Sequence, residues 1–259
     1  MKNKFDITTS IVLYKEDLNE LSRTIDCFLK TPLKKKLFLI DNTPTKEFEG
    51  VFNHKEIEYI SVGKNIGFGP GHNLVLSRIK NQSNYHLILN PDVSFNTSVI
   101  PNLMAKLDRH EVVSMIAPKV LFPNGEFQNS CRRYPKIIEL LARRFTFLAP
   151  LVPATLRKGN YIDINLETSF FADYITGCFH LYKTDDFVEL NGFDERYFLY
   201  MEDVDICRKI EKLDKKKLYY PKEEITHVLK QGSLKQKKLF LTHIYSAIKY
   251  FMKWGFKLT

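Results

Sequence analysis

Tyr85–Asp92 reads YHLILNPD, an apolar run of strand length that stops at a turn carrying a carboxylate. Working outward, the same pattern recurs. Ile7–Tyr14 (ITTSIVLY) is a β-branched apolar run, and Leu18, Leu21, Ile25, Phe28 and Leu29 follow at helical spacing up to Pro32. Leu37–Ile40 ends in Asp41-Asn42-Thr43-Pro44, and Ile57–Val62 runs into the glycine-rich Gly63–Gly71. Helices are expected from about His72 to Lys80 and over Ser98–Arg109, with a fifth strand over Val113–Lys119. This alternation predicts an α/β fold with a mostly parallel sheet and helices on both faces. Ligands of such sheets sit beyond the carboxyl ends of the strands. Asp41, Asn65 and Asp92 fall at such ends and are expected to share one crevice.

The second half is less regular. Phe122–Phe127 (FPNGEF) reads as a hairpin turn, and Ala149–Asn160, with two prolines, a glycine and two cations, as a mobile loop. Tyr174–Tyr182 is expected as one strand, Thr184–Leu190 as a short helix, and Leu218–Tyr220 and Ile225–Val228 as separate short strands. Ser233–Trp254 closes the chain as a helix. The domain organisation follows: residues 1–232 as one catalytic-type domain, divided near residue 120, and 233–259 as a basic amphipathic tail.

Asn191–Lys209 (NGFDERYFLYMEDVDICRK) carries the densest chemistry. Tyr197, Phe198 and Tyr200 lead into Glu202, Asp203 and Asp205 at the start of a helix. Acids in a first helical turn ordinarily complement the helix dipole. Aromatic walls beside a carboxylate also raise its pKa and make a general base. Gly67-Phe68-Gly69-Pro70-Gly71 lacks the dinucleotide G-x-G-x-x-G spacing. Its glycines still admit a close ligand, with the amides of Asn65 and Asn73 flanking, although a plain turn explains them equally well. Asn90-Pro91-Asp92 is a common turn, and its single carboxylate is also a type of ligand for Mg²⁺ or Mn²⁺.

The 259-residue chain is 44% hydrophobic and 27% charged, with a net charge of +9. No apolar run of about 18 residues is present, so no transmembrane helix is expected. Four scattered cysteines without a C-x-x-C pair read as reduced thiols of a cytoplasmic protein. The positive charge invites an anionic partner, but no nucleic-acid motif accompanies it, and none is expected to bind.

Taken together, ITTSIVLY, LFLIDN, NIGFGPGHN, LILNPDV, YITGCFHLYK and NGFDERYFLYMEDVDICRK, with His227 behind them, resemble a family 2 glycosyltransferase of the GT-A fold. The nearest likeness is to the bacterial rhamnosyltransferases of O-antigen and cell-wall assembly. The resemblance implies an inverting enzyme that takes a sugar from dTDP-L-rhamnose to a polyprenyl-diphosphate-linked acceptor at the inner face of the cytoplasmic membrane. It sets Asp41, Asn65, Gly67, Asn73, Asn90 and Asp92 against the nucleotide sugar, Asp92 and His227 at Mg²⁺ or Mn²⁺, and Asp203 as catalytic base. It gives Glu202, Asp205, Gly177 and Arg132 to the acceptor. Asn90 departs from the acidic first position of the general D-x-D motif. Another donor, such as a UDP-hexose or UDP-galactofuranose, fits the same pattern, and a catalytically silent nucleotide-binding or membrane scaffold is the rival of a different class.

Lys235, Lys238, Lys249 and Lys253 recur on one stripe of the last helix among apolar positions. The stripe reads either as the solvent side of a packed helix or as a basic face on an anionic membrane.

Overall fold

The computed structural model describes residues 4–144, 150, 152–229 and 237–256. Its strands are β1 (Phe5–Leu13), β2 (Lys35–Asp41), β3 (Ile57–Ser61), β4 (Ser83–Leu89), β5 (Val93–Phe95), β6 (Val113–Leu121), β7 (Cys131–Arg132), β8 (Phe170–Phe171), β9 (Tyr174–Ile175), β10 (Phe179–Lys183) and β11 (Lys216–His227). The helices are α1 (Leu18–Leu29), α2 (Phe68–Asn73), α3 (Leu76–Ile79), α4 (Val99–Asp108), α5 (Ile137–Arg144), α6 (Pro153–Gly159), α7 (Thr184–Glu189), α8 (Glu202–Lys212) and α9 (Lys237–Trp254).

Side-chain alternation along the strands builds two cores, one on each face of the sheet. Leu37 and Leu39 of β2 and Leu87 and Leu89 of β4 pack with Leu21, Ile25 and Phe28 of α1 and with Ile100, Leu103 and Leu107 of α4. The intervening Phe38, Ile40 and Ile88 point to the other face, against Phe187 of α7, Ile206 and Ile210 of α8, and Tyr250 and Phe251 of α9. Local signals set the ends of α1, where Asp17 accepts from the N–H groups of Asn19 and Glu20 and Pro32 follows the last turn.

The main sheet runs β3-β2-β1-β4-β10-β6-β11-β5, with β8 beside β11. The first half is parallel as expected, β2 to β1 and β3, and β1 to β4. The second half makes the sheet mixed, since β10 inserts antiparallel to both β4 and β6.

Five expectations need correction. Tyr174–Tyr182 is two strands, because residues 176–178 break away after β9, which pairs with β7 in a small second sheet. The two short strands after residue 216 are one, β11, carrying an irregularity between Tyr220 and Glu224 that absorbs Pro221. The helix expected at His72–Lys80 is two short ones, and the first begins inside the glycine run. Pro153–Gly159 of the expected loop is helix α6, with proline at its permissive first position; of the rest of that loop, 149 and 151 lie outside the described residues. Finally, α9 does not present a lysine face. Ser246, Tyr250 and Phe251 are buried, whereas Leu241, Ile244, Tyr245, Ile248 and Met252 are exposed. Lys235, and Ser233–Gln236 of the expected helix, lie outside the described residues.

Candidate active site

Two buried supports aim the catalytic stretch. Gly67, at φ +101°, lies so close to Phe198 that a Cβ would overlap its carbonyl, and the Phe68 N–H donates to that carbonyl at 3.0 Å. The Asn73 amide clamps the next turn, donating to the Phe193 carbonyl at 2.8 Å and accepting from its N–H at 2.9 Å. Tyr200 and Met201 then take left-handed backbone (φ +69° and +70°), a costly conformation for non-glycine residues, and α8 starts at once with Glu202 and Asp203.

Glu202 is 6% exposed, and its Oε2 has no protein partner. Burial, and then the charge of Asp203, raise its pKa well above the ordinary carboxylate value. Burial also raises that of Asp203, opposed by the N–H groups of Val204 (2.8 Å) and Gly177 and by the Arg132 guanidinium. Two adjacent carboxylates cannot share this site as two charges. Those donors favour the charge on Asp203, so Glu202 holds the proton.

Both carboxyls line a cavity of about 480 Å³ between α5, α8 and α9, whose walls include Arg132, Thr176, Tyr200, Ile244 and Ile248. Of the three aromatics ahead of the acids, Tyr200 alone lines it. Tyr197 is buried and bonds Asp205, and Phe198 works through its backbone. The aromatic wall therefore comes mainly from elsewhere in the chain, including Tyr174, Phe240 and Phe251.

Residues 176–178 join this cavity to the end of β4. Cys178 O accepts from the Asn90 N–H at 2.9 Å, while Gly177 turns its own N–H toward Asp203. Beyond them, His227 Nε2 lies 3.3 Å from Asp92 Oδ1 and 3.3 Å from the Asn90 side-chain amide. Gln128 orients the ring, with Oε1 2.7 Å from Nδ1. Burial opposes a charge on His227, but Cys178 and Asp92 outweigh it and raise its pKa to about 10. Thr24 fixes the Asn90-Pro91-Asp92 turn, donating to Pro91 O at 2.8 Å and accepting from the Val93 N–H at 3.1 Å. Asp92 lines a small hollow beside Arg23 and Thr24, and Asp203 lines the larger cavity.

Among the described residues no three His, Cys, Asp or Glu side chains converge as a metal cage. Asp92 and His227 fit a divalent cation as a partial site only with the ring neutral. The imidazolium favoured by Asp92 has no free Nε2 lone pair, and a cation would have to displace that proton. The Gln128 amide oxygen at Nδ1 is the kind of partner that orients metal-bound histidines.

The remaining expected residues are placed differently. Asp41 is fully buried, with Oδ1 accepting from the Thr43 N–H and Oδ2 from the Tyr59 hydroxyl at 2.6 Å. Asn65 caps its own turn through the Gly67 N–H. Neither lines the cavity at Asp203 or the hollow at Asp92. Gly67 and Asn73 hold backbone together, and Asp205 is a structural anchor. Its carboxylate is fully buried among the Tyr197 hydroxyl, Lys253 and the Trp254 indole N–H (2.7 Å). Sequence reading missed Gln128 and Thr24, whose partners lie 99 and 67 positions away and leave no local signal.

An α/β sheet of this order, with carboxylates at the end of β4 and the start of α8, defines a protein of the GT-A glycosyltransferase fold. Solved structures share that fold. One titled GalNAc-T7 with UDP, GalNAc and Mn²⁺ aligns with a TM-score of 0.66 at 15% identity, covering 86% of this chain and 43% of that one. Staphylococcus aureus TarS residues 1–349 aligns at 0.52 and 12%, covering 83% and 60%. The sequence model of glycosyl transferase family 2 matches residues 9–189, well over half of the chain, and the protein belongs to that family. That match ends before α8, so Asp203 lies outside it. Curated relatives include the N-acetylglucosaminyl-diphospho-decaprenol L-rhamnosyltransferase of Mycobacterium tuberculosis, 26% identical over 197 residues, 72% of this chain and 62% of that protein. Rhamnosyltransferase WbbL of Escherichia coli K12 is 25% identical over 228 residues, 83% and 81% of the two chains. The aligned part thus spans under two thirds of the mycobacterial relative.

Proposed function

We propose that this protein is an inverting glycosyltransferase that moves L-rhamnose from dTDP-L-rhamnose to a saccharide linked to a polyprenyl diphosphate. The observation that carries the reading is Asp203, a carboxylate held ionised by Gly177, Val204 and Arg132 at the wall of an apolar cavity. The names of both relatives support rhamnose as the sugar moved, and that of the mycobacterial relative supports an acceptor on a lipid diphosphate.

Asp203 takes the proton from the acceptor hydroxyl as that oxygen attacks the anomeric carbon, opposite the departing diphosphate. Burial raises its basicity, and the protonated Glu202 beside it keeps a second negative charge away. Asp92 and His227 would hold Mg²⁺ or Mn²⁺, which supplies charge neutralisation for the leaving diphosphate. The exposed apolar side of α9 supports docking at the inner membrane surface, with that side toward the lipid. No helix among the described residues is long and apolar enough to cross a membrane.

The test is a panel of dTDP- and UDP-sugars with a synthetic lipid-linked acceptor, with and without chelator. Transfer from dTDP-L-rhamnose is expected to dominate and to require the divalent cation. Transfer from a UDP-hexose alone would replace the donor, and no transfer from any donor would favour the scaffold reading.

A further inference from the structure

The cavity at Asp203 is polar on one side and apolar on the other. Arg132, Thr176, Glu202 and Asp203 come from β7, the 176–178 segment and the first turn of α8. The opposing walls are mainly apolar, with Ile137 and Leu140 from α5 and Phe240, Ile244, Ile248 and Phe251 from α9. His243 also lines it, and burial lowers its pKa, so it carries no charge at neutral pH. The rim is apolar as well: Leu141, Ile244, Ile248 and Phe256 are all lining residues that remain exposed. A sugar needs hydrogen-bonding groups on several sides, and among the lining residues of α5 and α9 only His243 supplies one. Arg132 adds a second observation, since its Nε is buried with no hydrogen-bond partner among the described residues. An oriented guanidinium in an apolar setting suits an anion with paired oxygens, phosphate above all.

We propose that this cavity seats the lipid diphosphate of the acceptor, with the isoprenoid chain between α5 and α9 and the diphosphate at Arg132. The inference rests on the reading that the acceptor is lipid-linked. The placement brings the sugar carried on the diphosphate to Asp203 while its tail leaves over the exposed rim of α9. The volume of about 480 Å³ is that of a small-molecule pocket and suits the first isoprene units rather than a whole polyprenyl chain. Arg132 is thereby a binding residue for the acceptor, and the α5–α9 walls set its preference for lipid.

Equilibrium binding of farnesyl diphosphate, farnesol and inorganic pyrophosphate to the full chain tests this without donor or turnover. Farnesyl diphosphate is expected to bind at least tenfold tighter than either fragment. Arg132→Gln should reduce it to the level of farnesol. Ala247→Trp, which fills the cavity, should reduce it to that of pyrophosphate, and Ile244→Trp serves as a second plug should the first fail to fold. Farnesyl diphosphate binding no tighter than pyrophosphate, or unchanged in a folded plug variant, would overturn the proposal. Because no sugar is transferred, these results stand apart from the donor panel. Equal turnover of lipid-free and lipid-linked acceptors would remove the lipid seat and leave the glycosyltransferase reading intact.

Discussion

Glu202 and Asp203 are adjacent, yet their surroundings give them different charges. Asp203 receives two backbone N–H groups and faces Arg132, while Glu202 Oε2 has no partner. Glu202→Gln copies the protonated acid and should keep activity within about tenfold of wild type, less than the roughly 10²-fold minimum for removing a base. A loss as large as that of Asp203→Asn would make Glu202 the base instead. The stability sign follows from the raised pKa. Unfolded Glu202 ionises above about 4.3, whereas the folded carboxyl keeps its proton, so the native side chain costs stability as pH rises past that value. Glu202→Gln should therefore raise the unfolding temperature at pH 8 and not at pH 4, and equal shifts would refute the assignment. The acid limb of turnover should also lie above the ordinary aspartate value, because Asp203 is raised in the same direction. The sequence pointed to Asp92 by its place at a strand end, to Asp203 by the aromatic run ahead of it, and to the roles of Asp203 and His227 through the family resemblance. It could not separate Asp203 from Asp205, two residues on, because Lys253 and Trp254, which claim Asp205, are almost 50 positions away.

At the scale of elements, α9 decides how the protein meets its substrate. Its lysines were legible as a stripe, but periodicity does not say which side faces inward. The buried Asp205 and the half-buried Asp194 reverse the obvious orientation. Lys253 pairs with both at 2.7 Å, and Lys249 donates to the Arg196 carbonyl at 2.5 Å. Asp205→Ala leaves Lys253 with Asp194 alone and frees the Trp254 indole N–H and the Tyr197 hydroxyl, so it should cost about 1–3 kcal/mol for each buried donor left unpaired, measured by urea unfolding. A change under about 1 kcal/mol would mean that the anchor is not holding α9. Membrane contact should then depend on the apolar side. Vesicle sedimentation should fall for Leu241→Glu with Met252→Glu and change little for Lys238→Glu, and it should persist at high salt. The reverse pattern would restore the basic face.

Across the whole molecule, the mostly parallel α/β character of the first half was legible because apolar strand runs end at turns and alternate with stretches of helical spacing. The place of β10 was not, since its pairing with β4 and β6 joins residues roughly 65 to 100 positions apart in sequence. The same sheet buries a polar chain that no local pattern announces: Thr8 meets His86 Nδ1 at 2.9 Å, and Ser10 lies between His86 Nε2 (3.0 Å) and His72 Nδ1 (2.7 Å). Burial lowers the pKa of His86 to about 3 and of His180 to about 4. The unfolded chain takes protons below about 6.5 that these folded rings refuse. Stability should therefore fall by about 1.4 kcal/mol per pH unit for each of the two as pH drops from 6.5 toward 4. A flat profile from pH 7 to 5 in urea unfolding would contradict it. The central claim concerns the reaction, and the most direct measurement is sugar transfer to a lipid-linked acceptor by Asp203→Asn beside wild type, with nucleotide binding followed in the same preparations. Transfer should fall by about 10²–10⁴ while nucleotide affinity is unchanged; a variant that keeps more than about a tenth of wild-type turnover would show that Asp203 is not the base.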